Sequence, residues 1–72
     1  MTDLKVGDYF VYKLTPDLFV YGKITSIFRD SYGYDVISTN YDYHNHAFYE
    51  NSKFHRELIK FENELEMIAH MV

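Results

Sequence analysis

Between Val6 and Arg29 the chain reads VGDYFVYKL, then TPD, then LFVYGKITSIFR. Two runs rich in aromatic and β-branched residues are parted by only three residues. Strands joined by so short a link must lie antiparallel, because a parallel pair needs a crossover of a dozen residues or more. The first run, Val6–Leu14, opens on Gly-Asp and has strand composition. Pro16 fixes φ at the corner. In the second run Leu18, Val20, Gly22 and Ile24 share one face by the period of two. Ile27 falls out of phase, which predicts a bulge or bend between Ile24 and Ile27. Gly22 leaves room for a strand or ring to lie close across it.

Three further segments extend this hairpin. RDSYG (29–33) is a turn, with Gly33 available for positive φ. YDVIST (34–39) is a third strand, NYDYHN (40–45) a polar loop or strand extension, and HAFYE (46–50) a short fourth strand. The predicted strands cover about 8–14, 18–29, 34–40 and 46–50.

The tail changes period. Phe54, Leu58, Phe61, Leu65, Ile68 and Val72 follow one another in steps of four and three, a single stripe on a helix over 53–71 capped by Ser52. This reading makes Leu65 and Ile68 core residues. The rival is a fifth strand over 56–61 followed by a helix over 63–71, with Asn63 as cap and Glu66 closing a capping box.

The fold class expected is α+β: a small curled antiparallel meander with a C-terminal helix packed on it, in one domain over 1–72. A chain of this length buries only about 60% of the surface its unfolded form exposes. Eight Tyr and six Phe supply large buried areas to so small a core.

The Gly-Asp entry to VGDYFVYKL, the turn, and the bending Gly-Lys-Ile strand YGKITSI resemble the start of SH3-like small β-barrels of the Tudor and KOW kind, over residues 6–39. The resemblance implies a barrel and a binding role, since such domains take modified peptides, proline-rich segments or nucleic acids. The chain departs from it in having no Trp for a proline groove, Ser26 and Ile27 where the KOW glycine would stand, and no basic surface. No functional residue is carried over.

With no cysteine, disulfides, thiolate metal sites and Cys nucleophiles are excluded, and a reducing cytoplasmic setting is expected. The start MTDLKVGD has neither the basic nor the apolar region of a signal peptide. No run approaches the roughly 20 apolar residues of a membrane span. Seven basic against eleven acidic residues, net −4, is a poor supply of phosphate contacts.

His44-Asn45-His46 carries no nuclease signal, because the residues of HNH enzymes are spread over a hairpin and a helix. As a metal pair it lacks a third and fourth ligand; Asp42, His55 or His70 would have to complete it, and solvated loop histidines are the default. No metal or cofactor is expected. Asp30, Asp35, Asp42 and Glu50 could form an acid–base pair, as could any acidic surface. There is no Gly-rich phosphate loop and no Gly-x-Ser-x-Gly elbow. The chain is expected not to be an enzyme.

One segment is unusual. Residues 30–52 hold four carboxylates and Tyr32, Tyr34, Tyr41, Tyr43 and Tyr49, with no Lys or Arg. Tyr34 and Phe48 suit a core. Tyr41 and Tyr43, flanking Asp42 beside a polar loop, suit an interface, where tyrosine gives area with a polar tip. The candidate partner-binding residues are therefore Tyr32, Asp35, Tyr41, Asp42, Tyr43 and Glu50. They imply a small non-enzymatic protein-binding module whose partner has a basic surface, of the kind found among phage or mobile-element inhibitors and accessory proteins, DNA mimics included. The alternative is a nucleic-acid-binding barrel that stacks bases on exposed tyrosines and holds the backbone with Lys5, Lys13, Lys23 and Arg29; it requires those four to cluster. A homodimer through the 54–72 stripe is a further use of the tail.

Overall fold

The computed structural model describes residues 4–72. Five strands form one antiparallel sheet: β1 (Tyr9–Thr15), β2 (Leu18–Ile27), β3 (Ser31–Thr39), β4 (Ala47–Tyr49) and β5 (Ile59–Phe61), with helix α1 (Lys53–Glu57) before β5 and helix α2 (Glu64–Met71) after it. The strand order is β4-β3-β2-β1-β5. The first four strands are a meander, and the chain then returns to pair β5 with the free side of β1. β4 and β5 remain at opposite edges, so the sheet is open and the expected closed barrel is not formed.

Thr15 closes the first turn: its Oγ1 accepts hydrogen bonds from the amides of Asp17 (3.3 Å) and Leu18 (3.2 Å). The bend expected in β2 is a bulge, since Ile24 pairs with Tyr34 and Ser26 with Gly33, leaving Thr25 unopposed. A second bulge leaves Ile37 unopposed on β3, between the pairs Gly22–Val36 and Tyr21–Ser38.

The second turn is tighter than its sequence implied. β3 already begins at Ser31, and the Phe28 amide donates to the Ser31 carbonyl at 2.9 Å. Gly33 is inside the strand, not in a positive-φ turn. Its hydrogen faces Phe28, whose Cε2 would lie 3.4 Å from an added Cβ. The positive-φ glycine is Gly7 (φ 97°), where the chain turns into β1.

Consecutive residues of β1 are buried on both faces, which is the mark of a strand covered from two sides. On one face Phe10, Tyr12, Ile24, Tyr34 and Phe48 form a cluster with Leu4, Leu58 and Phe54. On the other, Val11, Tyr21, Phe61 and Met67 pack with Tyr9 and Phe19. α1 therefore covers one face of the sheet and α2 the other.

Gly22 is what lets the tip of the Phe10 ring approach β2 closely. A Cβ there would sit 2.7 Å from Phe10 Cζ and 2.9 Å from the Asp35 carbonyl oxygen. The ring could shift, but the Asp35 backbone is held by the β2–β3 ladder. Gly22→Ala is expected to lower stability by about 1–3 kcal/mol, the usual range for overpacking. Urea unfolding would measure it, and an unchanged midpoint would mean the ladder yields.

The single tail helix over 53–71 is replaced by helix, strand, helix, and the two local caps explain why. Ser52 Oγ accepts from the His55 amide at 3.2 Å and starts α1. Leu58 is already extended (ψ 153°), though its amide still reaches the Phe54 carbonyl at 3.0 Å. Residues 59–61 then satisfy the open edge of β1, with Tyr9 opposite Phe61 and Val11 opposite Ile59. Asn63 Oδ1 accepts from the Glu66 amide at 2.9 Å to start α2, and Glu66 Oε2 accepts from the Glu62 amide at 3.1 Å. The backbone bonds gained along β1 outweigh a continuous stripe. The stripe's C-terminal half is turned outward: Leu65 is 78% and Ile68 43% exposed, whereas Met67 is 1% exposed. Leu65 and Ile68 are thus surface residues, and Met67 takes the core position expected of them.

Candidate protein-binding surface

The six candidate residues do not share one face. Tyr32 is half-buried, with its ring stacked on Phe48 (centroids 5.3 Å apart) and tilted against His55 at 5.2 Å. His55 is itself buried, with Nδ1 donating to the Glu50 carbonyl. Asp35 is exposed on the opposite face, paired across the ladder with Lys23. Glu50 is exposed at the end of β4, where its amide donates to the Asp30 carbonyl at 2.8 Å.

Tyr41, Asp42 and Tyr43 lie in the loop that runs from the far end of β3 back to β4. Tyr43 is half-buried against the first core cluster, and its hydroxyl is hydrogen-bonded to that of Tyr34. Tyr41 packs edge-on against Tyr43 at 5.6 Å. Burial, and then the contact with Tyr43, pushes the Tyr34 hydroxyl far above its ordinary pKa; burial likewise raises that of Tyr41. Tyr34 and Tyr41 are therefore neutral at physiological pH, and Tyr41 and Tyr43 form a polar-tipped cover over the open side of the first core. Between them Asp42 points into solvent, 2.7 Å from His44 Nε2 in a fully wet pair.

The exposed ring of the segment is Tyr49, 69% accessible on β4. Strand alternation carries this signal: Phe48 points inward, so Ala47 and Tyr49 point to the other face. A shallow cleft of about 240 Å³ is lined there by Ser31, Ala47, Phe48 and Tyr49. Its neighbour Phe28 lies over Gly33, the residue paired with Ala47, and is 59% exposed. Small residues thus floor a surface between two accessible rings, with the Asp30 and Glu50 carboxylates at its end.

Among the described residues, no three His, Asp or Glu side chains lie close enough together to hold a metal ion. His46 is exposed and His70 sits 3.0 Å from the Tyr21 hydroxyl through Nδ1. No helix of the described residues is long and apolar enough to cross a membrane.

The basic residues are strung out rather than gathered. Lys13 pairs with Phe19 near one end of β2, Lys23 lies midway over the Tyr9 ring, and Arg29 follows the other end. From Phe19 to the end of β2 at Ile27 is eight residues, roughly 26 Å of strand at about 3.3 Å per residue, and Arg29 lies beyond it. No family model, no curated protein and no solved structure matches the chain.

Proposed function

We propose that the protein is a small, non-catalytic protein-binding module whose partner presents a basic surface. The observation that carries this is the exposure of Asp30, Asp35, Asp42, Glu50 and Tyr49 along a stretch, 30–52, without a lysine or arginine. Exposed carboxylates of this kind steer a cationic partner and reject an anionic one. An inhibitor or accessory protein of phage or mobile-element type, imitating the charge of DNA toward a nucleic-acid-binding protein, is the sharper form of the same reading. The return of the chain to pair β5 with β1 supports kinship with SH3-like small barrels, in which the two edges would meet. A cytoplasmic location accords with the cysteine-free composition. The outward Leu65 and Ile68 on α2, with Val72 just past its end, offer a second surface for self-association, although Glu62, Glu64 and Glu66 beside them oppose two copies meeting face to face.

The test is affinity capture from cell lysate, followed by measurement of the captured protein's dissociation constant and on-rate at several salt concentrations. Asp42→Lys and Glu50→Lys are expected to slow association most at low salt, because exposed charge is screened over about 10 Å at 0.1 M. Salt-independent binding, or capture of nucleic acid instead of protein, would overturn the proposal.

A further inference from the structure

The hydrogen-bond parity of β4 shows which of its backbone groups are spoken for. The Tyr34 amide donates to the His46 carbonyl and the Glu50 amide to the Asp30 carbonyl. In an antiparallel ladder, bonded and non-bonded pairs alternate. Tyr32–Phe48 is therefore a bonded pair, and Gly33–Ala47 and Ser31–Tyr49 are not. It follows that the amide and carbonyl of Ala47 and the amide of Tyr49 point away from β3. The Tyr49 carbonyl also points away, but accepts from Ser52 N (3.1 Å) and Ser52 Oγ (2.7 Å). Three groups, donor, acceptor and donor, are left along an exposed edge, which is the pattern an added strand completes.

We propose that β4 is a docking edge that receives an extended, lysine- or arginine-bearing segment of the partner as a sixth strand. This rests on the protein-binding reading above and names how the partner is held. Residue by residue, the incoming backbone would bond Ala47 in both directions and the Tyr49 amide once. Main-chain bonds of this kind supply affinity, while pockets for alternate side chains supply selectivity. On one face α1 already packs against β4. On the other, the cleft of Ser31, Ala47, Phe48 and Tyr49 gives room for one large side chain.

Charge selects the occupant. Asp30 and Glu50 stand exposed at one end of the edge and Asp42 in the loop leading to the other. Of the nearby cations, Lys53 Nζ lies 3.9 Å from Glu57 and Arg56 donates to the Asn51 carbonyl at 3.3 Å, while Arg29, next to Asp30, is exposed and offsets part of this charge.

The probe is an acetylated seven-residue peptide of alternating lysine and valine, with two versions N-methylated at every valine or at every lysine. Only one set of amides can face β4, so one methylated version is expected to bind at least about tenfold more weakly and the other to bind like the parent. Amide shifts on binding should centre on Ala47 and Tyr49. Ala47→Pro removes an amide that β3 does not use, so the variant should fold and lose the peptide. Should that variant not fold, the methylated pair decides alone. Equal binding by both methylated versions, or shifts centred on α2 or on residues 41–43, overturns strand addition and leaves a basic partner intact. No binding of the parent at millimolar concentration overturns strand addition, and equal binding of a glutamate–valine peptide overturns both.

Discussion

Phe10→Ala is expected to unfold the protein at room temperature. Phe10 is completely buried, and three rings stand edge-on to it: Tyr34 at 5.1 Å, Phe54 at 5.6 Å and Phe48 at 6.1 Å. Those rings come from β3, α1 and β4, so one side chain joins three elements of the first core to β1. Truncating a buried Phe costs about 3–5 kcal/mol, comparable to the few kcal/mol that a single core of this size supplies. Circular dichroism and urea titration would read the loss. Phe10→Leu, which keeps more of the volume, should remain folded with reduced stability. A Phe10→Ala protein that melts cooperatively near the wild-type temperature would mean that Tyr34, Phe48 and Phe54 hold one another without it.

The second large effect falls on the other face. Met67→Ala should cost about 2–4 kcal/mol, because Met67 is the buried anchor by which α2 meets Val11, Tyr21 and Phe61. Leu65→Ala, two residues away on the opposite side of α2, should change stability by no more than about 0.5 kcal/mol, as exposed substitutions do. Thermal melts of the two variants separate the arrangement seen here from a continuous helix, which would reverse their order. Sedimentation of Leu65→Ala adds a check on self-association: a change in mass without a change in melting would assign the outward stripe to a contact between copies.

The hairpin of β1 and β2 was legible because its signals are local. Pro16, the alternation from Leu18 to Ile24, and its failure at Ile27 together specify turn, face and bulge. The tail was not, and the reason is physical. Its stripe from Phe54 to Val72 suits one helix against a sheet, yet in the fold only Phe54, Leu58 and Phe61 are turned inward, in separate pieces, and Leu65, Ile68 and Val72 are left outside. What decides between the two arrangements is the unpaired edge of β1, about fifty residues earlier in the chain, and periodicity carries no information about a distant edge. The caps Ser52 and Asn63, eleven residues apart, were the local sign that two helices start there. For the candidate surface, the carboxylates were readable as a charge pattern, whereas the role of Tyr43 was not. Its hydroxyl meets that of Tyr34 only because the 40–46 loop doubles back along β3. Tyr49 was the converse case, an outward ring given by Phe48 pointing inward.

The pairing of β5 with β1 has a mechanical consequence. Tyr9 and Phe61 are opposite each other, and the chain leaves both at the same end of the ladder. A load applied across Leu4 and Glu62 would therefore act on one pair at a time, as in peeling a strip, rather than on the whole ladder in shear. The short β1–β5 seam should open at low force, with α2 leaving the second face together with it. The β1–β2–β3 meander, whose ladders run across the pull and are joined by tight turns, should outlast it as the sturdier piece.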